Sequence, residues 1–169
     1  MMPSITRDEA LKLIEGSSKH AHSRLASSIM RALAEFFHED PDDWGLVGLL
    51  HDLDYDEVRG EMSRHGIVVA EMLEGRLSER AVHAIMAHDH RTGVRPESLL
   101  DESLIFADSL AVLMEDQALD ASADESALDR ALRDESEEKP WIGDNIRSYC
   151  ERRGVSVPQI LRRLRSLRA

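Results

Sequence analysis

Apolar residues recur at helical spacing along almost the whole chain, whereas the alternating pattern of half-buried β-strands is nearly absent. Capping residues mark several helix starts, among them Thr6, Ser63 and Ser78, and Gly16 and Gly75 mark helix ends. We expect an all-α fold with residues 54–63 as a loop. The pattern predicts helices over about 6–16, 18–38, 41–53, 63–75, 78–90, 98–116, 125–138, 141–153 and 158–168.

The helix that ends near residue 53 differs from the others because it has almost no polar face. Asp40 can cap it and Pro41 can occupy its first turn. Apolar residues then cover all sides, which predicts a helix buried in the core. Its apolar members are Trp44, Leu46, Val47, Leu49, Leu50 and Leu53.

Length and composition suit one domain. The 169 residues contain 42% apolar side chains, enough for a substantial core. We expect a single-domain helical bundle over residues 1–169, with a core that carries the motifs at about 18–116 and C-terminal helices at 125–168 packed on it. The last helix has an apolar stripe that predicts core packing, with a homodimer contact as the alternative. The stripe consists of Ile160, Leu161, Leu164 and Leu167.

Charge and cysteine content narrow the classes of function. A net charge of −12 makes nucleic acid an unlikely partner, although seven arginines and one glutamate lie from Arg147 onward. We expect that basic end to pack on the acidic body of the same chain. No apolar run of membrane length and no leader pattern occurs, so we expect a cytoplasmic protein. The lone Cys150 leaves His, Asp and Glu as metal ligands.

Polar side chains on apolar helix faces are the candidate chemistry. His22 shares a face with Leu25 and Ala26, and Asp108 falls on the apolar face of its helix. His51 and Asp52 stand at the end of the buried helix, where a carboxylate needs a hydrogen-bond partner or a metal ion. A core histidine bonded to a backbone carbonyl would explain His22 equally well by itself. Together, however, the four groups offer two nitrogen and two oxygen ligands for a divalent metal ion.

Two further histidines lie close to the same predicted helix ends. His65 falls in the first turn of its helix, and His88 lies at the edge of an apolar face. In the same helix as His88, His83 lies on the opposite side and His90 lies at the end. His65 and His88 could hold a second metal ion with Asp52 as the bridging carboxylate. The ligand types suit Mn, Fe, Co, Ni, Zn or Mg without distinguishing among them.

The order His, His-Asp, Asp on a helical scaffold resembles the HD-domain metal-dependent phosphohydrolase superfamily. The resemblance covers roughly residues 18–116 and extends to the intermediate histidines. The matching segments are His22-Ser23-Arg24-Leu25-Ala26, Gly48-Leu49-Leu50-His51-Asp52, Ser63-Arg64-His65-Gly66, Ala84-Ile85-Met86-Ala87-His88 and Ala107-Asp108.

This kinship implies hydrolysis of a phosphate ester, commonly that of a nucleotide, by metal-activated water. Our hypothesis is that Asp52 orients the nucleophile. A carboxyl group of the predicted loop at residues 54–63 would protonate the leaving group, and an arginine would bind the phosphate. The candidate acids are Asp54, Asp56 and Glu57, and the candidate phosphate-binding residues are Arg24, Arg64 and Arg91.

Two other classes of protein are compatible with these residues. A regulatory module would use the same ligands to bind a metal ion or a nucleotide without turnover. A helical di-iron oxygenase would use a similar set of histidines and carboxylates, and oxygen consumption would reveal it. Phosphohydrolysis is the favoured hypothesis, with a small-molecule phosphate ester as substrate.

Overall fold

The computed structural model describes residues 4–168, and within this range the regular elements are helices, with no β-strand. The all-α prediction is therefore confirmed. The α-helices are α1 (Arg7–Ile14), α2 (His20–Phe37), α3 (Pro41–Leu50), α4 (Tyr55–Val58), α5 (Ile67–Met72), α6 (Glu79–Ala87), α7 (Leu99–Asp116), α8 (Glu125–Glu138), α9 (Pro140–Arg153) and α10 (Val157–Arg168), and short 3-10 turns span Met62–Arg64 and His90–Thr92.

Capping side chains explain where several of these helices begin. Thr6 forms a capping box with Glu9 at the start of α1. Asp40 accepts hydrogen bonds from the first turn of α3, where Pro41 lacks an N–H that would need a partner. Ser78 caps α6, and Ser98 forms a capping box with Asp101 before α7. These starts agree with the sequence prediction.

Helix α3 is buried on all sides, as its uniform apolar pattern predicts; every residue from Trp44 to Leu50 is buried. It packs most closely on α2. A Cβ at Gly48 would lie 2.8 Å from the Cα of Ser27, so only glycine permits this approach of the two backbones. The contact places the end of α3 beside the first turns of α2.

Helix α7 also packs against α2 and contacts α3, and α6 and α9 pack on α7. The apolar core continues from Ile5 to Leu164, which brings α10 against α2. In the apolar stripe of α10, Leu167 is 37% exposed. The other three members are buried: Ile160, Leu161 and Leu164. The single-domain assignment over residues 1–169 stays a prediction, and residues 1–3 and 169 lie outside the described range.

The connection from Asp54 to Gly66 differs from the predicted loop and helix. It contains α4 and a 3-10 turn, and Ser63 lies in that turn instead of capping a helix. Helix α5 starts only at Ile67, and His65 therefore precedes it. The buried carboxylate of Asp54 accepts hydrogen bonds from the N–H groups of Gly66 and Val69 and so supplies the cap.

None of the helices in the described part of the chain combines the length and the apolar character needed to cross a bilayer. The cytoplasmic location and the homodimer contact stay predictions.

Candidate metal centre

Helices α2, α3 and α7 bring His22, His51, Asp52 and Asp108 together. His22 lies in the first turn of α2, His51 and Asp52 directly follow the last turn of α3, and Asp108 lies midway along α7. One ligand atom from each residue lies within 4.8 Å of the others. The nearest contact joins His22 Nε2 to Asp108 Oδ1 at 2.9 Å. The predicted convergence of these four groups is therefore present in the structure.

A second group of possible ligands contains Asp52, His65 and His88. His65 Nε2 lies 2.9 Å from Asp52 Oδ1, and His88 Nε2 lies 3.6 Å from the same oxygen. All three residues are buried. Asp52 belongs to both groups, as expected for a carboxylate that bridges two ions.

In each of the four histidines of these two groups, Nδ1 contacts an oxygen atom outside the cluster and Nε2 faces the cluster. The four are His22, His51, His65 and His88. In His51 and His88, Nδ1 lies 2.7 Å and 2.6 Å from the carbonyl oxygens of Gly48 and Ile85. Because a carbonyl only accepts, Nδ1 carries the proton in both rings. In each ring Nε2 is then left with a lone pair that is directed toward the carboxylate cluster.

In His22 and His65 a carboxylate takes the place of the carbonyl. His22 Nδ1 lies 2.8 Å from Glu115 Oε2, and His65 Nδ1 lies 2.8 Å from Asp54 Oδ1. A carboxylate that holds Nδ1–H fixes the ring orientation and makes Nε2 a stronger donor to a metal. All four Nε2 atoms therefore face the two carboxylates at the centre.

Two features of this cluster are unfavourable in the absence of a cation. His51 Nε2 is fully buried and has no hydrogen-bond partner among the described residues. The Nε2 atoms of His65 and His88 lie only 3.1 Å apart. With both rings protonated at Nδ1, two lone pairs would face each other, which a shared proton or a metal ion relieves.

The spacing of the donor atoms also fits a metal ion. Atoms about 2.1 Å from one ion lie about 3 Å apart at adjacent octahedral positions and about 4.2 Å apart at opposite ones. His22 Nε2 lies 2.9 Å from Asp108 and 3.6 Å from Asp52, and His51 Nε2 lies 3.4 Å from Asp52. The cluster could therefore hold a divalent ion after only small adjustments of the side chains.

The charges within the cluster shift its pKa values strongly. Burial by itself would lower the pKa of His22, but its hydrogen bond to Asp108 and the nearby negative charges raise that pKa to about 9. Burial opposes protonation of His65 too, yet hydrogen bonds to Asp52 and Asp54 raise its pKa to about 9. Conversely, His51 and the other imidazoles hold the pKa of Asp52 well below its usual range despite burial.

A cavity of about 750 Å³ opens onto the cluster. Asp52, Asp108, His65 and His88 line its inner end. Three cationic side chains also line it: Lys19, Arg91 and Lys139. An anionic group in this cavity would therefore meet positive charge beside the candidate metal ligands.

The three carboxylates proposed as general acids do not line this cavity. Asp54 is completely buried, and both of its oxygens accept hydrogen bonds, from His65 Nδ1, Gly66 N and Val69 N. It therefore orients a histidine and caps a helix, and it is not placed to protonate a leaving group. Asp56 is exposed and accepts a 2.9 Å hydrogen bond from Ser18 N. Glu57 is exposed.

Of the three predicted phosphate-binding arginines, Arg91 lines the cavity, whereas Arg24 and Arg64 do not. Arg64 lies 3.8 Å from Glu71, and Arg24 is exposed on α2. The Nε and Nη2 atoms of Arg91 bond to both oxygens of Asp89, which fixes the guanidinium at the cavity wall.

Sequence reasoning missed Glu115, Lys19 and Lys139. Glu115 lies seven residues after Asp108 on α7, so the two-turn spacing could have indicated that it faces the same histidine. Lys19 precedes α2 by one residue, and Lys139 precedes α9 by one residue. No local pattern indicates that both lysines reach one cavity.

Comparison with known proteins places the chain in a family. The family model of the HD domain matches residues 20–113, more than half of the chain, and this range contains all six candidate metal ligands. No match was found among the curated proteins or among the solved structures. The match confirms the resemblance seen in the sequence. The chain thus belongs to the HD-domain family.

Proposed function

We propose that this chain is a metal-dependent phosphohydrolase that cleaves a phosphate ester of a nucleotide or a related small molecule. One observation carries the proposal: four buried imidazole Nε2 atoms and two carboxylates converge at the inner end of a cavity lined by cationic side chains. The resemblance of the motifs to metal-dependent phosphohydrolases supports the type of reaction.

The candidate ligands for one ion are His22, His51, Asp52 and Asp108, and those for a second ion are Asp52, His65 and His88. When bound, divalent ions acidify water and neutralise charge on phosphoryl oxygens. Asp52 stays ionised because its pKa is held far below neutrality. Its oxygens can therefore accept a hydrogen bond from the attacking water and orient it toward phosphorus.

The cationic residues of the cavity would bind the substrate. Arg91 is 51% exposed, and Asp89 holds two of its three guanidinium nitrogens. The remaining nitrogen, Nη1, makes no bond to Asp89 and can donate to a phosphate oxygen. Lys19 lies at the start of α2, where Ser18 is anchored by Asp56. Asp56 therefore contributes to the position of Lys19, although it does not itself line the cavity.

A phosphate-release screen tests the proposal. Chelator-treated protein is supplied separately with Mn, Fe, Co, Ni, Zn or Mg and assayed on nucleoside monophosphates and on esters without a base. We expect release with at least one ion, loss of release to background in Asp52→Ala, and retention in Glu57→Gln, whose side chain lies outside the cavity.

Three outcomes would contradict the proposal. Full activity of Asp52→Ala would exclude the assigned site. Tight nucleotide binding without release, for every ion, would indicate a regulatory module. Oxygen consumption with a visible iron chromophore would indicate a di-iron oxygenase.

A further inference from the structure

The outer wall of the cavity is formed by residues that follow the HD-domain match. Lys139, Trp141, Ile142 and Asn145 all line the cavity, and all lie beyond residue 113. Lys139 precedes α9 and the other three lie in its first turns, and α9 packs on α7, which carries Asp108. The volume of about 750 Å³ greatly exceeds what a phosphate group needs, so the outer wall faces another part of the ligand.

Trp141 is the unusual residue of this wall. It is 55% exposed, whereas Leu13 and Met72, which are also among the exposed large apolar side chains, reach 42%. Tryptophan side chains are buried to a large extent on average. Ligand-binding pockets are lined mainly by apolar and aromatic side chains, and Trp141 lines this one. Helix α9 fixes the backbone of Trp141, and the indole lines the cavity.

Tyr55 also lines the cavity, but its ring already contacts other side chains. The Lys19 ammonium lies 4.3 Å from the centroid of the Tyr55 ring, and the His65 ring meets Tyr55 edge-on at 5.6 Å. By contrast, Trp141 makes no ring–ring or cation–π contact with any other residue in the described range 4–168. The face of its indole is therefore available for stacking.

A polar group lies next to this surface. Asn145 is one helical turn after Trp141, on the same side of α9. Its Nδ2 donates a 3.0 Å hydrogen bond to Ser109 Oγ, which orients the amide. Ser109 directly follows Asp108, so the aromatic surface is connected to the metal-binding end of the cavity through one hydrogen bond.

We propose that Trp141 is a specificity-determining residue that stacks on a planar ring in the alcohol part of the phosphate ester, an inference that rests on the proposed function. The phosphate would lie at the end formed by Asp52 and Asp108, and the ring would lie against the indole. Stacking of a base on an aromatic side chain tolerates different bases because each has a π face. The wall from α9 thus selects esters that carry a ring over those that do not.

The test compares two phosphate esters of ribose, one with a planar base and one without a base. The probes are ribose 5-phosphate and whichever of adenosine, guanosine, cytidine and uridine 5′-monophosphate the wild type hydrolyses fastest. We expect Trp141→Ala to lower kcat/KM for the nucleotide by about 5- to 150-fold, the range expected for loss of one stacked base. The value for ribose 5-phosphate should change by less than about twofold, and Trp141→Phe should retain most nucleotide activity. Equal losses for both esters, or none, would overturn the proposal.

A binding measurement separates this proposal from the proposed function. Trp44 is 1% exposed, so quenching of tryptophan fluorescence by a nucleoside monophosphate would report on Trp141. If the wild type hydrolyses no ester but its fluorescence is quenched by the nucleoside monophosphate and not by ribose 5-phosphate, the stacking site stands and the proposed function fails. Absence of quenching in the wild type would overturn the stacking site whether or not turnover occurs.

Discussion

At the scale of single residues, neighbouring carboxylates that look alike in the sequence have different surroundings. Asp52 lies at the candidate metal centre, Asp54 is buried behind His65, and Asp56 is exposed beside Ser18. The doublet His51-Asp52 was predictable because it ends a uniformly apolar helix. The role of Asp54 was not, because it depends on contacts with the backbone twelve and fifteen residues further along the chain.

The first prediction concerns Asp54→Asn. An amide in this position would direct an N–H toward Nδ1 of His65, and the ring would then carry its proton on Nε2, which faces Asp52. We expect metal affinity to fall by about 10- to 100-fold. The free energy of unfolding should fall by about 1–3 kcal/mol. Metal titration and urea unfolding measure the two effects.

Asp56→Asn is the matched control, because its carboxylate is exposed and contacts Ser18. We expect its metal affinity to equal that of the wild type. Equal effects of the two substitutions on metal affinity would show that Asp54 does not orient His65.

At the scale of helices, the close contact between α2 and α3 positions the site. Gly48 allows the backbones to approach, and its carbonyl oxygen accepts the Nδ1–H of His51. The caps and apolar faces allowed most helix boundaries to be predicted, since those signals are local. The prediction for the start of α5 was wrong because the cap comes from the distant Asp54 and because Gly66, directly before α5, has a φ of +85°, which is outside the helical region.

The second prediction concerns Gly48→Ala. The added methyl group would lie 2.8 Å from Ser27 Cα and 2.9 Å from the oxygen of Ala26, and both of these belong to backbone that cannot move independently. We expect the free energy of unfolding to fall by about 1–3 kcal/mol. Metal affinity should fall as well, because α3 carries His51. Denaturant unfolding and metal titration provide the two measurements.

Gly45→Ala is the control in the same helix. Its methyl group would meet the flexible side chain of Arg31, and alanine favours a helix by about 1 kcal/mol over glycine. A destabilisation as large as that of Gly48→Ala would mean that the α2–α3 contact does not explain the need for glycine at residue 48.

At the scale of the whole molecule, the site collects charges from helices that are far apart in the sequence. His22, His65 and Asp108 come from three separate parts of the chain and are near one another only in the fold. The sequence predicted that His22 and Asp108 point inward and that His65 lies near the same helix ends. It predicted Arg91 as a phosphate-binding residue, but it could not predict that Lys19, Lys139 and the wall from α9 reach the same cavity, because no periodic pattern indicates this.

The third prediction is that removal of metal changes how stability depends on pH. The pKa values of His22 and His65 rise from 6.5 to about 9 in the folded, metal-free protein. Their protonation therefore stabilises the fold fully below about pH 6.5, and this contribution is lost as pH rises through 9. Metal binding requires the unprotonated Nε2, so metal affinity rises over the same range.

We therefore expect metal to increase the free energy of unfolding more at pH 9 than at pH 6. Urea unfolding with chelator and with Mn²⁺, at pH values from 6 to 9, measures this difference. A difference that does not change with pH would show that metal ions and protons do not compete for these histidines.

The most direct test of the account is the amount of divalent metal bound per chain. Chelator-treated wild type and Asp52→Asn are titrated with Mn²⁺ or Co²⁺, dialysed, and analysed for metal, and their folding is compared by circular dichroism. The account predicts one or two ions per chain in the wild type and loss of bound metal in the folded variant, because Asp52 belongs to both groups of ligands. A wild type that binds no metal, or a variant that binds as much as the wild type, would contradict it.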